Sequence, residues 1–144
     1  MGEVLHLFTC QVHRFAMKEV EEADAMENKG FVGCIHGRPR SKRQILLMDK
    51  EALDRLGIAP GAVKENITTR GVDFRTLTMG GRLRIGECLL EITVPCDPCS
   101  RMDEIRMGLQ SELRGQRGWL CRVVEAGKIR RGDRIEVMAA QATD

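Results

Sequence analysis

Short apolar runs separated by glycine-rich turns form the main hydrophobic pattern of this chain. The runs last about four to eight residues and several alternate with polar positions, which is typical of strands rather than of helices. Strands are predicted over residues 4–8, 44–48, 82–85, 88–94, 120–125 and 134–138. Many short strands between glycine turns favour a mainly β fold, either a barrel or a sandwich with a few helices.

The stretches between these strands predict turns and short helices. Gly86-Glu87 lies between two strands and predicts a β-hairpin. The pattern predicts a short helix over 51–56 that stops at Gly57, because glycine commonly ends helices. Helix formers also predict helices over 15–28, despite poor apolar spacing there, and over 104–114. Residues 30–41 are rich in glycine and basic side chains and predict a loop.

Length and composition indicate one ordinary globular domain covering residues 1–144. Hydrophobic residues make up 42% of the chain and charged residues 31%, which argues against disorder. The formal net charge is only +2, and aromatic residues reach only 3%. Broad nucleic-acid binding needs a basic surface or stacking rings, so no nucleic-acid partner is expected.

The role expected for the cysteines depends on the cellular compartment of the protein. The first ten residues lack the long apolar core of a signal peptide, and no later segment is apolar enough to span a bilayer. We therefore expect a cytoplasmic protein without a membrane partner. Six cysteines in that compartment predict free thiols, metal ligands or nucleophiles rather than a disulfide framework.

The segment after the predicted strand 88–94 carries the most distinctive chemistry. Cys96 and Cys99 are three positions apart, and Arg101 follows them. Pro95 and Pro98 hold this backbone extended and cannot donate to a sheet ladder. The pattern predicts thiols that face solvent or a ligand rather than fill a core.

Several chemistries suit this pair of cysteines. The spacing is that of half a zinc site, and Cys34 and His36 could complete a composite site with Cys96 and Cys99. A thioredoxin-like dithiol would need a helix N-terminus in an α/β fold, which the predicted strands do not offer. Cys99 alone could act as a soft thiolate ligand or nucleophile, with Arg101 favouring the anion. Both cysteines could also be incidental small hydrophobes.

Two further polar clusters are candidates for ligand binding. Asn66, Thr68 and Thr69 lie close together between two glycines and could hydrogen-bond a phosphate or heterocycle, or only cap turns. The second cluster is basic and suits either phosphate recognition or a solvated loop. It consists of Arg38, Arg40, Lys42 and Arg43.

Four blocks of this sequence resemble the MOSC domain, the molybdenum cofactor sulfurase C-terminal module. They occur in the family's order and together cover nearly the whole chain. The blocks are Gly33-Cys34-Ile35-His36-Gly37 with Arg43-Gln44-Ile45-Leu46-Leu47, then Glu65-Asn66-Ile67-Thr68-Thr69-Arg70-Gly71, then Leu83-Arg84-Ile85-Gly86 through Pro95-Cys96-Asp97-Pro98-Cys99, and finally Arg117-Gly118-Trp119-Leu120-Cys121-Arg122-Val123 to Gly132-Asp133.

The resemblance implies a MOSC-type β-barrel with peripheral helices and a pocket for the molybdenum cofactor (molybdopterin). It implies one functional cysteine, matched by Cys99, that binds molybdenum or carries sulfur; Cys96 occupies a variable position. Thiolate softness suits both roles. The positions assigned to the cofactor pocket are His36, Arg43, Gln44, Asn66, Thr68, Thr69 and, beside the thiolate, Arg101. Cys34 departs from the family, which usually has aspartate there.

By this resemblance the protein binds the cofactor or transfers sulfur to it through Cys99. It could also support reduction of N-hydroxylated compounds, with an external electron donor because the chain has no flavin, haem or iron–sulfur motif. Implied partners are a molybdoenzyme, a cofactor biosynthesis protein or an electron-donor protein. The aminotransferase-like half of the cofactor sulfurases is missing, so no pyridoxal phosphate is expected. The alternatives are a thiol or zinc module using Cys34, His36, Cys96 and Cys99, or a fold that binds a partner protein.

Overall fold

The computed structural model describes residues 2–11, 17–35, 37–98, 101–116 and 118–138. The strands are β1 Gly2–Thr9, β2 Lys18–Val20, β3 Glu22–Met26, β4 Gly30–Phe31, β5 Ile45–Asp49, β6 Ile67–Arg70, β7 Arg82–Ile85, β8 Cys88–Pro95, β9 Trp119–Glu125, β10 Gly127–Arg130 and β11 Arg134–Val137. The helices are α1 Lys50–Leu56, α2 Met102–Ile105 and α3 Leu109–Glu112, with a 3₁₀ turn at Phe74–Thr76.

Seven strands close into a barrel in the order β11-β7-β8-β9-β5-β6-β1, with β1 pairing back to β11. β2 continues this sheet beside β1, and β10, β3 and β4 form a second small sheet. Closure leaves the barrel strands without exposed edges. The predicted mainly β, MOSC-type barrel with a few short helices is therefore confirmed.

The barrel core follows from alternation along the strands. Side chains at every second position point inward, as expected for a period of two. The fully buried interior includes Leu7, Ile45, Leu47, Ile67, Leu90, Ile92, Val123 and Ile135. The predicted hairpin is confirmed, since β7 and β8 pair across Gly86-Glu87.

The helices form a layer outside the barrel. α1 connects the parallel strands β5 and β6 and ends at Gly57, whose left-handed backbone (φ 67°) confirms the predicted stop. Its Leu53 packs with Met48 on the outer face of β5 and with Leu109 of α3. Within the described residues, no helix is long and apolar enough to cross a membrane.

Two helix predictions are wrong. Within 15–28, the described residues 17–28 form β2 and β3, because burial alternates there: Ala23 and Ala25 face the core while their neighbours are exposed. Tertiary packing thus overrides the helix propensity of this segment; residues 15 and 16 lie outside the described ranges. The helix predicted over 104–114 is two short pieces, α2 and α3, separated at Gly108 with φ 86°.

The start of β9 lies directly against the end of β5. Gly118 has a φ of 107°, and a Cβ placed there would be 1.9 Å from the carbonyl oxygen of Leu47. The Gly118 carbonyl accepts a hydrogen bond from the backbone N–H of Cys96 at 2.9 Å. Only glycine allows this approach, which aligns the ends of β5 and β8 on either side of β9.

A buried carboxyl lies beneath the loop before β6. Glu65 is 0% exposed, and its Oε2 accepts hydrogen bonds from the Gly61 N–H and the Thr68 hydroxyl, both at 2.9 Å. Its Oε1 has no partner in the described part of the chain. Burial raises the pKa of Glu65, and the two hydrogen bonds oppose this only in part.

We expect Gly118→Ala to lower the free energy of unfolding by about 3 kcal/mol, because a Cβ meets the Leu47 carbonyl in addition to the cost of the positive φ. Gly108→Ala is the matched control: it has a similar φ but nothing within 4 Å of the added Cβ, so about 1 kcal/mol is expected. Chemical denaturation of both variants measures the difference. Equal losses would show that Gly118 matters only for its backbone conformation.

We expect Glu65→Gln to reduce the pH dependence of thermal stability. The folded carboxyl holds its proton more tightly than the unfolded chain, whose pKa is near 4.5. Its stabilising contribution is therefore complete below that pH and is lost as pH rises through the folded pKa. The melting temperature of the variant relative to the original chain should therefore rise from about pH 4 to about pH 7. This window starts near the ordinary pKa of a glutamate carboxyl and extends above it.

The exposed Glu21 provides the control for this experiment, since its side chain is 80% exposed. Glu21→Gln should show no comparable trend with pH. A constant difference in melting temperature between Glu65→Gln and the original chain across this range would contradict a raised pKa for Glu65.

Candidate functional site

A cavity of about 1030 Å³ opens at the end of the barrel where β5, β6 and β8 finish. This volume matches sites for small molecules and cofactors. The 3₁₀ turn covers one side, held by a hydrogen bond of 3.2 Å from the Trp119 ring N–H to the Phe74 carbonyl. The wall residues used below are Asp49, Glu51, Arg55, Asp73, Arg75, Cys96, Asp97 and Trp119.

The cysteine segment begins at the rim of this cavity. Cys96 borders the cavity, but its side chain packs with Leu46 and Leu120, and the residue is only 5% exposed. Cys96 is therefore not exposed to solvent, as one of the two predicted possibilities had it, and it packs as a small hydrophobe; whether it faces a ligand stays a prediction. Cys99, the predicted functional cysteine, lies outside the described residues. Arg101 is among the described residues; its side chain is exposed and it lies just before α2.

The other described cysteines are structural. Cys10, Cys34, Cys88 and Cys121 are all buried. Burial raises the pKa of Cys88 to about 12, and it raises the pKa of Cys121 as well. A thiol with such a pKa is neither a good nucleophile nor a ready metal ligand. As predicted, Cys88 and Cys121 lie on strands, in β8 and β9.

Gln44 and Asn66, both predicted to contact the cofactor, use their polar atoms inside the protein. Gln44 Oε1 accepts from the Val123 N–H at 2.9 Å, and its Nε2 donates to the Arg38 carbonyl at 3.2 Å. Asn66 Oδ1 accepts from the Leu46 N–H at 2.9 Å. Both residues join separate chain segments, and their contact with a cofactor stays a prediction.

The remaining predicted pocket residues are dispersed. Thr68 is buried on the outer face of β6, with its hydroxyl bonded to Glu65. Thr69, on the opposite face, is 1% exposed, and its Oγ1 has no partner among the described residues. Arg43 is exposed on the loop before β5. His36 lies outside the described residues.

Cys34 takes the position where the family usually has aspartate, and it acts as a hydrogen-bond acceptor. Its Sγ accepts from the Asn66 side chain at 3.5 Å and from the Cys10 N–H at 3.4 Å. A composite zinc site would need His36 and Cys99, which the structure does not describe. Among the residues it does describe, no three histidine, cysteine or acidic side chains are grouped to hold a metal ion.

The basic cluster borders a second, smaller cavity of about 370 Å³ beside β8 and β9. Arg40 and Lys42 line it together with Arg122, which is paired with Glu91 at 3.2 Å. Within the described ranges, no carboxylate forms an ion pair with any cation of the basic cluster. These charges are therefore available to an anionic ligand.

Asp49, the last residue of β5, was not among the site residues predicted from the sequence. It lines the larger cavity and is 9% exposed. Burial raises the pKa of its carboxyl, and the nearby charge of Glu51 raises it further. The available signal was an aspartate directly after an apolar run, but this pattern is also that of an ordinary helix cap.

Solved structures share this fold. The YuaD protein from Bacillus subtilis superposes with a TM-score of 0.77 at 19% identity, over 94% of each chain. YiiM from Geobacillus stearothermophilus gives a TM-score of 0.76 at 17% identity, over 96% of this chain and 76% of that one. At these identities the likeness establishes the fold alone.

Two sequence comparisons agree with the fold. The chain is 30% identical over 90 residues to Protein YiiM of Escherichia coli (strain K12), which covers 58% of this chain and 39% of that protein. The chain thus spans well under half the length of this relative. The sequence profile of the MOSC domain matches residues 32–136, which is most of the chain. The resemblance of the four sequence blocks is confirmed, and this protein belongs to the MOSC domain family.

Proposed function

We propose that this protein binds the molybdenum cofactor in the larger cavity, with Cys99 as its thiolate ligand, and supports reduction of N-hydroxylated compounds with electrons from an external donor. MOSC domains are associated with molybdenum-cofactor-related proteins. The second candidate role, sulfur transfer to the cofactor through Cys99, uses the same thiolate and the same cavity. We further propose that residues 1–144 form one MOSC domain in the cytoplasm.

The observation that carries the proposal is the route of the chain after β8. Cys96 and Asp97 line the cavity, and Cys99 follows Cys96 by three residues. Three extended residues reach about 10 Å at most, so Cys99 stays within reach of the same cavity. All five described cysteines are buried, which favours Cys99 as the functional thiol.

The residues present fit such a group. The cavity is large enough for a pterin-sized ligand, and the aromatic ring of Trp119 offers a flat wall. Arg55 and Arg75 line it and can meet negative charge, although Arg75 also pairs with Asp73 at 3.0 Å. Asp49 and Asp97 add hydrogen-bonding groups to the same wall. When bound, the cofactor supplies redox chemistry at molybdenum, while the protein supplies binding and orientation.

The cofactor's phosphate is proposed to meet the basic cluster or the arginines of the larger cavity. A phosphate prefers arginine because the guanidinium presents paired donors. Gln44, Asn66 and Thr68 already form hydrogen bonds within the protein, so the exposed Arg43 is the more available member of the predicted set. A molybdoenzyme, a cofactor biosynthesis protein or an electron-donor protein remains the proposed macromolecular partner.

We expect Cys99→Ser to lose bound molybdenum while the protein still folds, because a hydroxyl is a poorer ligand than a soft thiolate. Cys96→Ser is the matched control: that side chain packs with Leu46 and Leu120, so some stability but not the cofactor should be lost. The measurement is molybdenum and pterin content per chain, after expression in a host that makes the cofactor, with melting temperature as the check on folding.

The outcomes separate the candidate functions. Molybdenum and pterin near one per chain, lost only in Cys99→Ser, support the proposal. Equal loss in both cysteine variants would favour a two-thiol site. Stoichiometric zinc in place of molybdenum would favour the thiol module and contradict a cofactor-binding protein.

A further inference from the structure

We propose that Asp49 is the acid of the larger cavity and donates a proton to the departing oxygen of the N-hydroxylated compound. This inference rests on the proposed function and adds a catalytic residue that the sequence blocks do not indicate. Three features support it: the position of Asp49 relative to the cysteine segment, the environment of its carboxyl, and unused hydrogen-bonding capacity beside it.

The strand registers place Asp49 opposite the cysteine segment. Trp119 of β9 pairs with Leu47 of β5 on one side and with Pro95 of β8 on the other. β5 and β8 are both antiparallel to β9, so their carboxyl ends lie at the same end of the barrel. Asp49 and Asp97 are each two residues further along. Two strand spacings, about 10 Å, separate their backbones, with the start of β9 between them, and both residues line the cavity.

The carboxyl of Asp49 interacts only weakly with the start of the helix that it precedes. Asp49 occupies the N-cap position of α1, yet its side chain makes no capping hydrogen bond. The nearby amides of Asp49 and Ala52 lower its pKa by less than burial raises it. The side chain faces the cavity with 9% of the residue exposed, so it is shielded from bulk water but open to a ligand.

The charges around Asp49 act on its pKa in both directions. Glu51 on α1 raises the pKa of Asp49, and Arg55 lowers it by a smaller amount. From the 3₁₀ turn, Asp73 and Arg75 face the same cavity but are paired with each other at 3.0 Å. Asp97 adds a further carboxylate after β8. A general acid works best when its pKa lies near the working pH, and burial moves Asp49 in that direction.

The neighbouring strand adds a second polar group on the same face. Thr69 of β6 is the parallel register partner of Asp49, so both side chains point to one side of the sheet. Thr69 is 1% exposed, and its hydroxyl is unpartnered within the described residues. A buried hydroxyl without a partner is costly. Thr69 itself does not line the cavity, so it is a polar neighbour behind Asp49 rather than a contact for the ligand.

The chemistry requires such an acid. Reduction of an N-hydroxylated base, R–NH–OH + 2 e⁻ + 2 H⁺ → R–NH₂ + H₂O, breaks the N–O bond and releases the oxygen as water. The two electrons come from the external donor of the proposed function. Asp49 gives one proton to the departing oxygen, solvent gives the other to the nitrogen, and Asp49 regains its proton from water. Hydroxide is a poor leaving group, so protonation of that oxygen accelerates the step.

The first test uses the cofactor-loaded full chain, with benzamidoxime as substrate and two equivalents of reduced methyl viologen as electron donor. Asp49→Asn should lower kcat by at least about 100-fold, the usual contribution of a general acid. It should also remove the fall of kcat at high pH while leaving the molybdenum content unchanged. Asp54→Asn is the matched control, because Asp54 lies on α1 as an exposed partner of Lys50 and does not line the cavity.

The outcomes distinguish this inference from the proposed function. If the original chain turns over and Asp49→Asn keeps both kcat and its pH profile, Asp49 is not the acid and the proposed function stands. If the original chain binds molybdenum but does not turn over, or binds none, both are overturned.

A second readout needs no turnover. In the cofactor-free full chain, the carboxyl carbon of Asp49 is identified by NMR from the signal missing in Asp49→Asn. Benzamidine, the cationic product, should lower the titration midpoint of that signal, because a positive charge beside a carboxylate favours ionisation. An unchanged Asp49 signal at saturating benzamidine would overturn the inference, since the ligand would then not lie beside Asp49.

Discussion

The contact between Gly118 and the backbone of β5 is the constraint on which the site depends. Without a side chain at position 118, the start of β9 lies flush against the Leu47 carbonyl, and the same glycine carbonyl holds the Cys96 N–H. This one arrangement brings the carboxyl ends of β5 and β8 to the same level on either side of β9. Asp49 and the cysteine segment face a common cavity as a result.

Polar side chains in this protein divide into those that build the barrel and those that remain available. Gln44 and Asn66 are buried and link loops to strands through their amide groups. A buried amide left unpaired would cost more than its hydrogen bonds contribute, so these residues are constrained by the fold itself. Thr69 and Asp49 lie on neighbouring strands and use less of their hydrogen-bonding capacity. The Thr69 hydroxyl has no partner in the described part of the chain, and the Asp49 side chain makes no capping hydrogen bond.

Strands were predictable where local pattern and tertiary packing agree. The 82–94 hairpin has alternating apolar positions on both sides of a glycine turn, and α1 ends at a glycine that adopts the required left-handed backbone. Residues 17–28 were not predictable in this way. Their alanines and glutamates favour a helix locally, but pairing of β3 with β10, about a hundred positions later, makes them a strand. β6 and β10 were missed for the same reason, since short strands depend on distant partners.

The sequence by itself determined the mainly β fold, the membership of the MOSC family and the position of the cysteine segment at the end of a strand. Each of these follows from residue patterns that are local in the chain. Only the tertiary structure decided which polar residues are free for chemistry. Burial of Cys96 and internal bonding of Asn66 arise from neighbours far apart in the chain, and burial in the folded protein is the largest cause of the raised pKa of Asp49. Desolvation and hydrogen bonding depend on what surrounds a group in space, and no local pattern encodes that environment.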